Sequence, residues 1–271
     1  MSERQRKFAR KTVRQGAFLV GRLSVHRRPG VVLMLHIGRC GSTVLANMLE
    51  QHRGIRWDGQ IYRYQAPENM VNGANIESWT KRQFSIAGGR YYGFEYKILP
   101  DQNSAKLGID LLQFLAICRK IGVTHYLILR RSNTLRHIVS NYASIARGLW
   151  HAEQGKKAVA KSFQLDLDHI TTEQSAGLPI LSYLENVDAT YDAVSDFLKN
   201  EKVLHINYET DINASGPDVA FRKVCDFLHL PSVQVEVKNQ RLNPYKMEEI
   251  VENWGEVKDV LSGTKYEWML E

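Results

Sequence analysis

A short turn, Gly38-Arg39-Cys40-Gly41-Ser42-Thr43, combines residue types that could bind an anion. It follows an apolar run, residues 31–37, that predicts a buried strand, and it precedes apolar residues at helical spacing (Val44, Leu45, Met48 and Leu49). In a strand–turn–helix unit, glycines let the backbone approach a ligand, and the first N–H groups of the helix point at it. Arg39 adds a positive charge, and Ser42 and Thr43 add hydroxyl donors. The turn therefore predicts a phosphate or sulfate site; in the alternative interpretation, the two hydroxyls only cap the helix.

A second unit of the same kind lies later in the chain. Residues 123–129 (VTHYLIL) predict another buried strand, which runs into Arg130-Arg131-Ser132-Asn133 and then a helix over residues 134–147. In an open parallel sheet, both turns lie at the carboxyl ends of their strands, which is where ligands bind. Two basic turns at one edge of a sheet suit a ligand with two separated anionic groups.

The remaining periodicities predict an α/β fold, a three-layer arrangement in which helices flank both faces of a parallel sheet. Further strands are predicted over residues 55–57, 91–99 and 202–207. Helices are predicted near residues 66–71, 75–86, 106–120 and 180–199, from residue 217, and twice after residue 231 with a split near Trp254-Gly255. With 271 residues, 44% of them hydrophobic and 24% charged, the chain suits a single globular domain, residues 29–271, behind a basic segment, residues 1–28.

The basic character of the sequence is concentrated at its start. Residues 1–28 hold nine Lys or Arg and one acidic residue, whereas the whole chain has a net charge of +7. We expect this segment either to be a solvated helix packed on the domain edge, which is the simpler interpretation, or to contact an anionic membrane. No recognised nucleic-acid-binding module accompanies the charge, so no nucleic-acid partner is predicted.

Cysteine usage and hydropathy predict the compartment. Cys40, Cys118 and Cys225 are odd in number and far apart, which predicts free thiols in a reducing compartment. No apolar run approaches the roughly 18 residues that a membrane-spanning helix requires, and the basic start is not followed by a signal-peptide pattern. We therefore expect a cytoplasmic protein, with a membrane-peripheral location as the alternative.

These motifs resemble those of the sulfotransferases that use 3′-phosphoadenosine-5′-phosphosulfate (PAPS), especially the bacterial nodulation-factor and trehalose sulfotransferases. Arg39-Cys40-Gly41-Ser42-Thr43 is similar to the family's Arg-Ser-Gly-Ser-Thr loop, which cradles the 5′-phosphosulfate. Arg131, followed nine residues later by Ser140, is similar to the motif that holds the 3′-phosphate. The segments NQRLNPYKMEEIVENW and LSGTKYEWML also resemble the family's C-terminal region.

The resemblance spans roughly Val31 to the C-terminus and implies a P-loop-like sulfotransferase architecture. It also implies PAPS as co-substrate and 3′-phosphoadenosine-5′-phosphate (PAP) as product, with in-line transfer of the sulfuryl group to a hydroxyl or amine of a small-molecule or glycan acceptor. The implied nucleotide-binding residues are Gly38, Arg39, Cys40, Gly41, Ser42, Thr43, Val44, Arg131, Ser140, Gln240, Arg241 and Asn243. The sequence specifies neither the acceptor nor an oligomeric state.

The chemistry of these residues agrees with that activity. Sulfuryl transfer, like phosphoryl transfer, needs charge stabilisation on the leaving and non-bridging oxygens and a base for the acceptor. Arg39 and the N-terminus of the following helix can stabilise the bridging oxygen as it leaves. No metal is required, and the nine histidines show no HExxH or other ligand spacing.

The catalytic base is where this chain departs from the family. Members commonly place a Glu after the short second strand, in a Gly-Glu turn, whereas this chain has Gly59-Gln60, and a neutral amide cannot accept the proton. Glu95 and Lys97, on one face of a strand, are the first candidates for base and sulfonate stabiliser, with an ordinary ion pair as the alternative. Asp58 is the second candidate base and His36 the third. Gln60 could instead orient an acceptor that needs little activation.

Aromatic residues near these positions predict an acceptor cleft. An aromatic wall suits sugar or ring substrates, and packing in the core is the alternative interpretation. The residues are Trp57, Tyr62, Tyr64, Trp150 and His151.

Two other functions compete with sulfuryl transfer. A P-loop nucleotide kinase would share the glycine-bearing turn, but the Gly-Lys-Ser/Thr of such enzymes is missing. A non-catalytic PAPS-binding or membrane-peripheral module would account for Gln60 and for the basic segment.

Overall fold

A parallel β-sheet with a central strand that is buried on both faces organises the chain. The computed structural model describes residues 28–67, 74–148, 161–171, 177–237 and 245–271. Within these residues the sheet has five strands in the order β2-β3-β1-β4-β5, and every neighbouring pair is parallel. The strands are β1 (Val31–His36), β2 (Ile55–Trp57), β3 (Tyr91–Lys97), β4 (His125–Arg130) and β5 (Val203–Asn207).

Helices connect the strands and cover both faces of the sheet. They are α1 (Ser42–Gln51), α2 (Ile61–Tyr64), α3 (Ala74–Phe84), α4 (Ala105–Leu107), α5 (Leu111–Ile121), α6 (Thr134–Arg147), α7 (Ile180–Phe197), α8 (Pro217–Phe227), α9 (Met247–Ile250) and α10 (Trp254–Leu261). Two 3₁₀ segments (Ser85–Ala87 and Glu267–Leu270) and two π-helical segments (Pro100–Ser104 and Tyr208–Ala214) complete the described elements.

The two faces of the sheet carry separate hydrophobic cores. On one face, α1 and α8 pack against the even-numbered side chains of β1, among them Val32 and Met34. On the other face, α5, α6 and α7 pack against the odd-numbered side chains, among them Leu33 and Leu35. All six residues of β1 are buried, as expected for a strand with helices on both sides. The predicted α/β architecture, a parallel sheet between two helical layers, is confirmed.

Most predicted elements lie where the sequence places them, and the exceptions have local causes. Helix α6 has the predicted bounds. The single helix predicted over residues 106–120 is wrong: Gly108 adopts a left-handed conformation (φ 63°), and Asp110 then caps α5 through a hydrogen bond from the Gln113 N–H. The strand predicted to Leu99 ends at Lys97, and the C-terminal helices separate before Trp254. The helix predicted over residues 66–71 falls partly outside the described residues.

The strand order places a crevice at the carboxyl edge of the sheet. After β1 the chain passes to α1 on one face, whereas after the neighbouring β4 it passes to α6 on the opposite face. Where consecutive connections leave in opposite directions, the loops diverge and ligands bind between them. Both basic turns therefore lie at this crevice.

One glycine in β3 is required by the packing beside it. Gly93 lies opposite Trp57 in the sheet register, and a Cβ at Gly93 would overlap the Trp57 ring. We expect Gly93→Ala to destabilise the protein by about 1–3 kcal/mol, because the indole must leave its position. Urea unfolding measures the change. Gly89→Ala is the matched control, since a Cβ there meets no atom within 4 Å; equal stability of the two variants would contradict the packing.

Candidate functional site

The turn after β1 is built from backbone conformations that favour glycine. Gly38 and Gly41 have φ values of 87° and 86°, and Arg39 has a φ of 49°. A non-glycine residue in the left-handed region is uncommon and is held there by its surroundings. Helix α1 has Gly41 as its N-cap, so Ser42 and Thr43 are helical residues and not the cap. The interpretation in which they only cap the helix is therefore wrong.

Arg39 joins the two basic turns. Its guanidinium donates to the hydroxyl of Ser140 on α6 through Nε at 3.3 Å and Nη2 at 3.2 Å. Arg131, in the second turn, donates from Nη1 to the main-chain oxygen of Arg39 at 3.2 Å. The resemblance pairs Ser140 with Arg131, whereas the structure joins Ser140 to Arg39. The two predicted anion sites are thus parts of one continuous surface.

The electrostatics of this surface favour an anion. Burial and the nearby Arg131 guanidinium lower the pKa of Arg39 to about 10, and Arg147 at the end of α6 adds to this effect. Burial together with Arg131 and Arg39 lowers the pKa of His137, on the same helix, to about 3. Like charges held close together disfavour their own charged forms, and a bound anion relieves that repulsion. Sequence reasoning did not single out Arg147; its i, i+7 spacing from Ser140 on α6 was the available signal.

The segment after β5 holds Arg131 from the other side. Glu209 accepts hydrogen bonds from the N–H groups of Ser132 at 2.9 Å and Asn133 at 3.3 Å, and its carboxylate lies 3.8 Å from Nε of Arg131. The Arg131 guanidinium also lies over the ring of Tyr208, 4.6 Å from its centroid. Sequence reasoning missed Glu209 and Tyr208, because no local pattern reports a contact across neighbouring strands.

Lys97 lies beside the glycine-bearing turn. Its amine is so close to Gly38 that a Cβ on this glycine would lie 3.8 Å from Nζ. Side chains of the π-helical segment that follows form hydrogen bonds with the backbone here. The Lys97 N–H donates to Asn103 Oδ1 at 2.6 Å, and Gln102 Nε2 donates to the Ile37 carbonyl at 3.0 Å. The predicted sulfonate stabiliser therefore lies at the predicted anion turn, and Gln102 and Asn103 are supporting residues that sequence reasoning missed.

Glu95, the first candidate base, is buried and hydrogen-bonded at both oxygens. Its Oε2 lies 3.1 Å from Nε2 of His36, and its Oε1 accepts the indole N–H of Trp57 at 3.1 Å. The three side chains come from β3, β1 and β2, and each is at most 5% exposed. The carboxylate is thus part of a network across three strands, and accepting a proton requires it to exchange one of these contacts.

The second candidate base, Asp58, is also fully engaged. Oδ1 accepts a hydrogen bond from Arg56 at 2.9 Å, and Oδ2 accepts one from the Tyr92 hydroxyl at 3.0 Å. The Asp58 side chain is 2% exposed. Gln60, half-buried, precedes α2, and its carbonyl accepts the N–H groups of the residues at positions 63 and 64. The contacts of Asp58 are those of a structural ion pair.

His36, the third candidate base, is held at both ring nitrogens. Besides the contact with Glu95, its Nδ1 accepts the Gly38 N–H at 2.9 Å. Burial is the largest single influence on the pKa of His36 and favours the neutral ring, whereas hydrogen bonds with Cys40 and Glu95 favour the charged one. A proton on Nδ1 would set a second N–H against that of Gly38, so the contact in the structure is that of the neutral ring.

The nucleotide-turn residues not yet described lie where the turn meets α1. Cys40 and Ser42 are buried, and Thr43 and Val44 are half-buried. Cys40, Cys118 and Cys225 are all free thiols in the interior. Cys40 therefore fills a packing position in the turn.

The aromatic residues predicted to line an acceptor cleft separate into different environments. Tyr62 is fully buried, and its hydroxyl contacts that of Thr80 at 2.7 Å, so it packs in the core and offers no surface to an acceptor. Trp57 is buried against Glu95. Tyr64 is 70% exposed. Trp150 and His151 lie outside the described residues, as do Gln240, Arg241, Asn243 and all of the basic segment except Arg28.

The described residues contain neither a metal-binding group nor a membrane-spanning helix. No group of three or more His, Cys, Asp or Glu side chains in this part of the chain could hold a metal ion. None of the described helices is long and apolar enough to cross a bilayer. Contact between the basic segment and an anionic membrane stays a prediction.

Fold and site together define an α/β protein in which two basic turns meet at a crevice, at the carboxyl edge of a parallel sheet. No protein-family model and no curated protein matches the sequence. Among solved structures, the chain is similar to a sulfotransferase from Alicyclobacillus acidocaldarius, with 16% identity and a TM-score of 0.49 over 88% of this chain and 94% of that one. A likeness this distant does not indicate the function of this chain. The function proposed below rests on the site.

The neighbouring charges of Arg39, Arg131 and Arg147 predict that inorganic anions bind at this site. We expect sulfate to raise the melting temperature of the wild type, and Arg131→Gln to lose more than about half of that rise, because only the folded site binds the anion. Differential scanning fluorimetry measures the shift, with chloride at matched ionic strength as reference.

The control for this experiment is Arg119→Gln. Arg119 forms an ion pair with Glu201 and lies over Phe197; it is near the end of α5, before β4, whereas Arg131 follows β4. Sulfate also stabilises proteins non-specifically, so the control variant sets the baseline. An equal sulfate response in both variants would contradict an anion site at Arg131.

Proposed function

We propose that this protein is a PAPS-dependent sulfotransferase that moves the sulfuryl group to a hydroxyl or amine of a small-molecule or glycan acceptor. The observation that supports this most is the contact of Arg39 with Ser140, together with that of Arg131 with the Arg39 carbonyl. These contacts join two basic turns into one surface. PAPS carries anionic groups at its 5′ and 3′ positions and suits such a surface.

The chemistry follows from charge placement. The N–H groups at the start of α1 and the Arg39 guanidinium stabilise the bridging oxygen as the 5′-phosphate leaves. Lys97, beside Gly38, stabilises the negative charge on the non-bridging oxygens of the sulfuryl group during transfer. Arg131 and Ser140 hold the 3′-phosphate. Gln240, Arg241 and Asn243 cover the nucleotide, as the resemblance implies.

Acceptor activation is assigned to Glu95. It is on the same strand face as Lys97, two residues away, and so lies on the side of the sheet that bears the sulfonate stabiliser. To take the acceptor proton, the carboxylate exchanges its contact with Trp57 for one with the acceptor. Candidate bases often make different hydrogen bonds before the substrate binds. Gln60 orients the acceptor.

A direct test of this function compares nucleotides. We expect PAPS and PAP to raise the melting temperature more than ATP with Mg²⁺ does, and labelled sulfate to move from PAPS to an acceptor in a cell extract. Stabilisation by ATP–Mg²⁺ alone would contradict the proposal and favour a kinase, for which Lys97 beside the turn would replace the missing lysine. Binding of PAP without any transfer would favour the non-catalytic module.

The base assignment predicts different effects for the two carboxylates. Glu95→Gln should lower kcat by at least about a hundredfold, the usual contribution of general base catalysis, with PAP binding retained. Asp58→Asn should lower the melting temperature but change kcat less than about fivefold, because it weakens a structural ion pair with Arg56 and leaves Glu95, the assigned base, in place. Steady-state kinetics with PAPS decides between them. Full activity of Glu95→Gln would overturn the assignment.

A further inference from the structure

His36 contacts both the anion turn and the candidate base. Its Nδ1 accepts the N–H of Gly38 at 2.9 Å, and its Nε2 lies 3.1 Å from Oε2 of Glu95. The ring is completely buried at the end of β1. A neutral imidazole accepts at one nitrogen and donates at the other, so the ring suits these two partners in one tautomer only, with its proton on Nε2.

The contact with Gly38 affects the anion turn, and the contact with Glu95 affects the candidate base. Gly38 opens the run of left-handed residues that includes Arg39, so its N–H helps to set the direction in which the turn leaves β1. A buried N–H that loses its acceptor is costly, and the turn would shift to satisfy it. The proton on Nε2 fixes Oε2 of Glu95, which leaves Oε1 as the oxygen that can change partner.

The same chain has a matched histidine without a functional partner. His52, at the end of α1, also accepts the N–H of the glycine two residues later, Gly54, at 3.0 Å. Its Nε2 lies 2.9 Å from the carbonyl of Pro231, not from a carboxylate. His52 is 4% exposed and precedes β2, at the edge of the sheet opposite the anion turn. A histidine that accepts the N–H of the glycine two residues later therefore occurs at two places in the described residues, and at His52 it has only a structural role.

We infer that His36 is a positioning residue that couples the nucleotide turn to Glu95: one nitrogen sets the turn and the other sets the carboxylate. This inference rests on the proposed function, since it assigns the two contacts to nucleotide binding and acceptor activation. His36 itself does not take the acceptor proton, because its single basic lone pair, on Nδ1, accepts the Gly38 N–H and its Nε2 already carries a proton.

Two amide variants separate the two contacts. The Asn oxygen takes the place of Nδ1, and the Gln amide reaches the place of Nε2. His36→Asn should keep the Gly38 contact and therefore the KM for PAPS, while kcat falls about tenfold, the size of one lost hydrogen bond. His36→Gln should show the reverse, with a KM raised about tenfold and a nearly unchanged kcat. Equal losses of both parameters in both variants would overturn the inference.

His52→Asn and His52→Gln are the controls. Both should lower the melting temperature, as the His36 variants do, without separating KM from kcat. A similar separation in the His52 variants would show that the effect is only structural and would overturn the inference. Calorimetric PAP binding to each variant reports the Gly38 half of the inference without any need for turnover.

A measurement on the unmodified protein covers the case in which the His36 variants do not fold. Long-range ¹H–¹⁵N NMR spectra identify the tautomer of each histidine. We expect a neutral His36 with its proton on Nε2 at neutral pH; a ring protonated at both nitrogens would overturn the inference. Failure of the proposed function would instead appear in the wild type, as absence of PAPS-dependent transfer.

Discussion

The close approach of two guanidinium groups is the constraint on which the rest of the site depends. Arg39 and Arg131 lie near enough that the second charge, together with burial, lowers the pKa of the first. Ser140 and the Arg39 carbonyl hold them there by hydrogen bonds. Repelling charges persist in a folded protein only where packing over-determines them, and such positions are typical of functional sites. An anion between them turns this repulsion into attraction.

The sheet brings the two turns that carry these arginines side by side. Arg39 follows β1 and Arg131 follows β4, and these strands are neighbours in the parallel sheet. Because the chain leaves β1 and β4 toward opposite faces, the loops open a crevice and both arginines face it. The contacts of Glu209 and Tyr208 add the next strand, β5, to the same edge. On the other side, β3 supplies Lys97 and Glu95. Four neighbouring strands thus contribute to one site.

The sequence predicts the helices and strands more accurately than the contacts between them. The buried run of β1, the turn at Gly38 and the bounds of α6 follow from local patterns, which depend on nearby residues only. The contact of Ser140 with Arg39 does not, because it depends on the rotamer of a long side chain across a crevice. Tyr62 was assigned to a cleft because aromatic character alone does not tell which side of a short helix faces the core. The sequence singles out His36 only as a candidate base; its contact with Gly38 could have been found from the repeated His-x-Gly pattern, at residues 36–38 and 52–54.

The central claim is that the two basic turns form one site for a ligand with two separated anionic groups. Isothermal titration calorimetry with PAP, adenosine 5′-monophosphate and adenosine 3′-monophosphate tests it most directly. If both phosphates are held at once, PAP should bind at least about a hundredfold more tightly than either monophosphate, since each charge-assisted contact contributes separately. Adenosine 5′-monophosphate binding as tightly as PAP would contradict a shared site and leave the turn after β1 as a simple phosphate cradle.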